Sequence, residues 1–316
     1  MRDHGGNLDE AKAAWGQGDW IDLSTGINRQ PYPVPELSAE AWTSLPMASA
    51  KAALMEAAAC AFGTAAPGLA LAGAQAAIQM IPLLGKPGLA RVLAPTYNEH
   101  AACLRQAGWR VEEVAQLEGL SGADLAIVVN PNNPDGRHHP KEALRDLSVG
   151  RLVVDESFAD PAPGESLVAE ASDRLLVLRS FGKFWGLAGL RLGFVYGGEG
   201  VIRRMSALAG PWPVAGPALE IGRIALRDQD WRIETVQRLS EDASRLDALA
   251  RRAGWGRVGG TLLFRLYETP DARKAQAALA QGHIWARRFP YSDTWLRLGL
   301  PGNAGEWQRL EAALGP

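Results

Sequence analysis

Between about residue 69 and residue 197, short apolar runs alternate with longer stretches of helical periodicity. Leu89–Ala94, Asp124–Asn130, Arg151–Asp155, Leu175–Arg179 and Leu192–Tyr196 read as strands. Strands separated by helices predict an α/β fold with a mostly parallel central sheet flanked by helices. Leu125 to Val129 is apolar at every position, the pattern of a strand covered on both faces. The polar residues Asn130, Asp155 and Ser180 stand where such runs end. Because ligands of open α/β sheets lie beyond the carboxyl ends of the strands, those three are predicted to border one crevice.

After Gly210 the pattern changes. Helical periodicity dominates from Pro217 to Ala253, followed by a strand over Thr261–Tyr267, a helix near Asp271–Gln281 and a strand over Thr294–Leu298. That order predicts a second, smaller α+β domain. Gly210-Pro211-Trp212-Pro213 supplies the junction, since proline interrupts a helix and stiffens a connection. The first 35 residues, rich in Gly, Asp, Asn and Pro, read as an extended arm. The expected organisation is an arm over 1–35, a large domain over 36–210 and a small domain over 211–316.

Composition narrows the function classes. At 316 residues and 47% hydrophobic content the chain can bury a sizeable core. Its 33 basic and 35 acidic residues are mixed, with a net charge of -2 and no long basic run, which argues against a nucleic-acid partner. No apolar stretch approaches the roughly 20 residues of a membrane span, and no signal-peptide pattern opens the chain, so a cytoplasmic protein is expected. Cys60 and Cys103 stand far apart, which suggests neither a disulfide nor a zinc site; both are expected to be small buried hydrophobes. The five histidines are scattered, and His138-His139 after a turn reads as solvated surface, so no metal site is expected.

The segment from Ser180 to Phe194, SFGKFWGLAGLRLGF, carries the most chemistry. A lysine set between a glycine and an aromatic just after a buried strand can be partly desolvated, which lowers its pKa and makes the amine nucleophilic. Ser180 and Arg191 could both reach an anion, and the glycines allow close backbone approach. This stretch resembles the lysine signature of the fold-type I pyridoxal-phosphate (PLP) enzymes, the aspartate aminotransferase superfamily. The resemblance implies that Lys183 carries PLP as a Schiff base while Ser180 and Arg191 hold its phosphate.

Three further elements occur in that superfamily's order. Asp155 ends a buried strand 28 residues before Lys183; on its own it also reads as half of an ion pair or as a helix cap. The resemblance places it on the pyridinium nitrogen, where it makes the ring an electron sink. The superfamily often has a tyrosine three residues later, where this chain has Phe158. Asn130-Pro131-Asn132-Asn133-Pro134-Asp135-Gly136 reads alone as a turn, and the resemblance gives Asn133 to the ring hydroxyl oxygen. Gly73, Ala74 and Gln75 precede a helix whose first N–H groups can meet an anion; they correspond to a phosphate cradle. Tyr97 corresponds to the ring stacked on the pyridine face, although it also reads as ordinary packing.

The arm carries a finer resemblance. His4-Gly5-Gly6-Asn7, Ile21 to Asn28 and Tyr32-Pro33 look like the opening of the threonine-phosphate decarboxylases of cobalamin biosynthesis, relatives of histidinol-phosphate aminotransferase. By that likeness the arm contributes to the small domain and the substrate site. His4 and Gly5 would bind a substrate phosphate, and Gly26 and Asn28 would contact the substrate. Trp295-Leu296-Arg297-Leu298-Gly299 resembles the superfamily's small-domain strand, which implies that Arg297 grips the substrate carboxylate through its bidentate fork. The implied reaction is decarboxylation of L-threonine O-3-phosphate to (R)-1-amino-2-propanol O-2-phosphate. A histidinol-phosphate or related aminotransferase is the alternative. It is disfavoured because the arginine-tyrosine-proline element common there is Ser44-Leu45-Pro46 here. A non-catalytic binding module of the same fold is a third reading, opposed by the retained Lys183, Asp155 and Arg191. The family also implies a homodimer.

Overall fold

The computed structural model describes residues 4–315. In chain order it forms α1 (Leu8–Trp15), β1 (Ile21–Asp22), α2 (Ala39–Thr43), α3 (Ala48–Phe62), β2 (Gly68–Leu71), α4 (Ala74–Met80), β3 (Leu89–Leu93), α5 (Glu99–Gln106), β4 (Arg110–Val114) and β5 (Leu125–Val129). It continues with α6 (Lys141–Arg145), β6 (Arg151–Asp155), β7 (Leu175–Ser180), β8 (Gly193–Tyr196), α7 (Glu199–Ala209), α8 (Gly216–Arg227) and α9 (Gln229–Arg252). The last elements are β9 (Gly256–Thr261), β10 (Phe264–Glu268), α10 (Ala272–Gln281), β11 (Ile284–Trp285), β12 (Arg287–Phe289), β13 (Ser292–Gly299) and α11 (Ala304–Leu314). Among the described residues no helix is long and apolar enough to cross a membrane.

The chain divides into two compact units. The larger holds Tyr32–Asn133 and His138–Asp230; the smaller holds the N-terminal segment through Pro31, Pro134–Arg137 and the chain from Trp231 onward. The division at Asp230/Trp231 differs from the 210/211 junction expected from the prolines. The reason is packing: α8 buries Ala218, Leu219, Ile221 and Gly222, and a Cβ at Gly222 would stand 3.0 Å from Leu54 of α3. The arm likewise ends at Pro31 rather than at 35, because Tyr32 donates its N–H to Trp185 O at 2.9 Å and its hydroxyl to Asp228 at 3.0 Å. The arm is also not extended throughout, since Asn7 caps the α1 helix by accepting from Glu10 N.

The larger unit is built on a seven-stranded sheet ordered β2-β8-β7-β6-β5-β3-β4. β4, β3, β5, β6 and β7 run parallel, while β8 is antiparallel to both β7 and β2. β5 is buried at all five positions, as a strand covered on both faces must be. Ile127, Val153, Leu176 and Leu178 join Leu104, Trp109 and Ile78 in one core cluster, each large aliphatic contributing about 1.5–3 kcal/mol by leaving water. Parallel register places Val129 opposite Asp155 and Asp155 opposite Leu178, so one edge of the sheet collects the polar strand ends.

Within the smaller unit, β12-β13-β10-β9 form an antiparallel sheet and β1 pairs with β11. The expected single strand over Thr261–Tyr267 is two strands, β9 and β10, joined by a turn in which Leu263 N donates to Thr261 Oγ1. The long helical pattern from Pro217 to Ala253 is likewise two helices, broken at Asp228 (ψ 85). Cys103 is buried as expected, but Cys60 is exposed. It lies two residues beyond the buried Ala58 on α3, about 200° around the helix and therefore away from the core.

Candidate active site

A cavity of about 150 Å³ lies in the larger unit, at the edge where β5, β6 and β7 end. Each wall follows from a local feature of the chain. Lys183 enters three residues after β7 on a turn supported by aromatics: Phe181 and Trp185 are stacked with centroids 5.4 Å apart, and Phe184 meets Trp185 edge-on. The Lys183 Nζ sits 5.8 Å from the centroid of the Phe158 ring. Phe158 lines the same cavity and is 5% exposed, so an apolar ring occupies the place at which a tyrosine hydroxyl was expected to be absent.

Asp155 is 2% exposed at the end of β6. His100 Nε2 lies 2.8 Å from its Oδ2, while Ser157 donates to Oδ1 from its hydroxyl at 2.5 Å and its N–H at 3.0 Å. Burial alone pushes this carboxyl up, but the interactions with His100 and the two Ser157 bonds outweigh it and hold Asp155 below the usual aspartate range. A buried carboxylate in this setting remains an anion. Tyr97, one turn before His100, presents its ring edge-on to the imidazole at 6.1 Å and donates its hydroxyl to Gln75 at 3.2 Å. Burial, with the charges of Glu99 and Asp155, pushes the phenol up to about 12, so it stays protonated.

The opposite end of the cavity is shaped by glycine. Gly73 (φ 80), Ala74 and Gln75 open α4, and a Cβ at Gly73 would stand 2.7 Å from Arg191 Nη2. A Cβ at Gly193 would lie 2.3 Å from Ala74 N. Arg191 itself is left-handed at φ 54, a conformation that costs a non-glycine residue about 1–2 kcal/mol. Ser180 faces the same space from the end of β7.

Asn133 lines the cavity, but Asn130 does not. The expectation that Asn130 borders the crevice is corrected: its amide donates to His139 O at 3.0 Å and its carbonyl accepts from His139 N at 2.8 Å. It fastens the loop that presents Asn133. Asn132 pins the same loop, accepting from Thr96 Oγ1 at 2.7 Å and donating to Pro95 O at 3.0 Å.

The five residues assigned to substrate all lie in the smaller unit. Ser24 meets two of them, since Arg297 Nη2 donates to its carbonyl at 2.6 Å and a Cβ at Gly5 would stand 2.4 Å from that carbonyl; Gly6 N donates to its hydroxyl at 2.8 Å. His4 is exposed and Gly26 buried. Asn28 is buried and accepts from Arg238 at 2.9 Å. Arg297 is 6% exposed, not solvent-facing as an arginine on an alternating strand usually is. Its guanidinium lies 5.2 Å from the Phe264 ring and 5.9 Å from that of Phe289. Burial, and then the charge of Arg287, pushes it down to about 10.

Sequence reasoning missed His100, Ser157 and Ser24. His100 carried one usable signal, its position a helical turn after Tyr97. The other two lie within two residues of an assigned or neighbouring carboxylate, Asp155 and Asp22, whose oxygens they hold.

Comparison with known proteins adds to this geometry. The family model for aminotransferases of class I and II matches residues 19–314. The threonine-phosphate decarboxylase of Pseudomonas aeruginosa is 42% identical, with 99% of this chain and 97% of that protein covered. The one from Sinorhizobium sp is 43% identical over 98% and 97%. Among solved structures, histidinol-phosphate aminotransferase from Sinorhizobium meliloti in complex with pyridoxal-5'-phosphate superposes with a TM-score of 0.83 at 18% identity, covering 97% of this chain and 92% of that one.

Proposed function

The chain belongs to the class I and II aminotransferase family, and from that premise we propose that it is a PLP-dependent lyase. Its reaction is decarboxylation of L-threonine O-3-phosphate to (R)-1-amino-2-propanol O-2-phosphate and carbon dioxide. The observation that carries the reading is the likeness along the whole chain to two relatives named for that decarboxylation. The cavity of the larger unit is chemically consistent with it.

The residues fit the cofactor. Asp155 is a buried carboxylate kept ionised by His100 and Ser157, which suits a protonated ring nitrogen. Gly73 leaves beside Arg191 a space that a Cβ would fill, which suits a phosphate next to the Ser180 hydroxyl and the backbone of Ala74 and Gln75. Lys183 would hold the aldehyde carbon covalently, Asn133 the ring hydroxyl oxygen and Tyr97 the ring face. When bound, PLP supplies a π system that accepts the electron pair left by a breaking Cα bond.

The chain's own residues do the rest. With the substrate amine in place at the cofactor, Lys183 Nζ would stand in the cavity as an ammonium and give its proton to Cα in place of the departed carboxylate. The bond from Cα to the carboxyl carbon breaks, carbon dioxide leaves and one proton is taken up. Arg297 would bind the substrate carboxylate and His4 and Gly5 the substrate phosphate, with Gly26 and Asn28 as further substrate contacts. Holding the carboxylate and the phosphate of the substrate would fix its orientation about Cα, and orientation selects the bond that breaks.

The active form on this reading is a cytoplasmic homodimer. Trp42, Leu45, Met47 and Trp212 of the larger unit are exposed large apolar residues, and Lys51 donates to Pro211 O at 2.8 Å, joining the two segments that carry them. Exposed apolar clusters of this kind mark association surfaces.

The test is incubation of the PLP-loaded protein with L-threonine O-3-phosphate and no keto acid. Stoichiometric carbon dioxide and amino-propanol phosphate are expected. Turnover that depends on 2-oxoglutarate, without carbon dioxide, would establish the aminotransferase alternative instead, and PLP binding with no turnover of either kind the binding module.

A further inference from the structure

The most buried charges outside the cavity form one cluster around Arg179. Arg179 is 1% exposed, Glu156 1% and Asp160 4%. The Arg179 guanidinium donates through Nη1 to Glu156 Oε2 at 3.0 Å and through Nη2 to Asp160 Oδ1 at 2.6 Å, and lies 4.5 Å from the centroid of the Phe62 ring. Glu156 also accepts from Leu167 N at 2.7 Å and from the Ser166 hydroxyl.

Burying three charges is expensive, and replacing a buried ion cluster with apolar side chains is often neutral or stabilising. Stability alone therefore does not account for the cluster. Its position does. Asp155 lies opposite Leu178 in the sheet, and Glu156 N donates to Leu178 O at 2.9 Å. Glu156 follows Asp155 by one residue and Arg179 precedes Ser180 by one. Side chains alternate along a strand, so the ion pair lies on the face away from that of Asp155 and Ser180. A slip of one residue would exchange the faces. The second arm of the fork, to Asp160, closes the turn that carries Ser157 and Phe158.

We propose that Arg179, Glu156 and Asp160 are positioning residues that fix how Asp155, Ser157 and Phe158 on one strand end meet Ser180 and Lys183 on the next. The inference rests on reading the cavity as the PLP site. None of the three touches the cavity, so they act through their neighbours. Arg179 joins the two halves of the site, and the separate bonds to Glu156 and Asp160 set register and turn independently.

The test uses the full chain loaded with PLP. Asp160→Ala frees the turn while keeping the Glu156 pair, and Asp160→Asn can still accept the Arg179 hydrogen bond. The readouts are the PLP dissociation constant, the pH midpoint of the visible band of the Lys183-bound cofactor, and Tm. The titratable and charged groups lining the cavity, Asp155, Tyr97, Lys183 and Arg191, and His100 bonded to Asp155, are unaltered in both variants. Asp160→Ala is expected to weaken PLP binding by about tenfold or more, the loss typical when outer support of a ligand-holding group is removed, and to displace the midpoint. Asp160→Asn is expected to restore both. A folded Asp160→Ala protein with wild-type affinity and midpoint overturns the proposal, whatever its Tm. If that variant does not fold, Arg179→Lys, which keeps the charge but cannot span both carboxylates, is judged by the same criteria. A wild-type protein with no visible band under saturating PLP overturns the cofactor reading itself, a result distinct from any difference among the variants.

Discussion

His100 Nε2 and Asp155 Oδ2 stand 2.8 Å apart with both side chains almost wholly buried. Burial acts to raise the carboxyl and the imidazole acts to lower it, and the net direction is down from the ordinary value of 3.8. Stability from this anion is present above that value and is lost as the pH falls through the lower folded value. In His100→Ala the burial contribution is less opposed, so Asp155 takes up a proton at higher pH. The acid limb of the kcat profile is expected to move upward in pH. Stability at neutral pH should fall by about 1–3 kcal/mol or more, for a buried acceptor deprived of its partner. An acid limb that stays in place would show that His100 does not govern Asp155.

On the proposed reading Lys183 carries the covalent link to the cofactor. Lys183→Ala is expected to bind PLP without the visible band, to resist borohydride trapping at position 183, and to lose about 10²–10⁴ in kcat with its proton transfer. Since Lys183 is half-buried on a turn held by the stacked Phe181 and Trp185, Tm should change little. Borohydride trapping at another lysine would move the assignment.

Arg297 binds substrate on the reading above, and its donor fork and its charge can be varied separately. Arg297→Lys keeps a cation but not the planar fork, and should lose about 1.5–3 kcal/mol of substrate binding, the range of a hydrogen bond to a charged group. The loss belongs in KM more than in kcat. Because burial holds Arg297 down to about 10, KM of the wild type should also rise as pH passes through about 10. A flat KM across that range, or a lysine variant with unchanged KM, argues that Arg297 only supports Ser24.

The cofactor pocket was more legible in the sequence than the supports behind it. The strand-end pattern points to Asp155 and Ser180, which line the cavity, and to Asn130, which does not; Lys183, Asn133 and Gly73 are reached through the resemblance of their segments to the superfamily's motifs. β4 was not foreseen, since Arg110–Val114 is an edge strand whose charged side chains remain partly exposed; nor was the break between α8 and α9, where polar Asp228 keeps the helical pattern. Arg179 reads in sequence as one more basic residue. Only the fold shows that its partners, Glu156 and Asp160, come from the neighbouring strand end, because cross-strand pairing is not encoded in local spacing. Ser24 is hidden for the same reason, its link to Arg297 spanning 273 residues.

Gly73 tests whether the phosphate pole has been placed correctly. It adopts φ 80 and ψ 161, a region nearly restricted to glycine, so alanine there costs about 1–3 kcal/mol in backbone strain. The new Cβ would also stand 2.7 Å from Arg191 Nη2. That atom ends a flexible side chain, so the guanidinium is expected to turn away while the sheet stays intact. Affinity for PLP should then fall, and affinity for pyridoxal, which lacks the phosphate, should fall much less. Ser180→Ala provides the scale, since it would remove one hydrogen bond to a charged group, about 1.5–3 kcal/mol, from the same pole. Titration of both ligands into Gly73→Ala decides the matter: equal losses for PLP and pyridoxal mean that the disturbance reaches the ring, and the phosphate lies elsewhere.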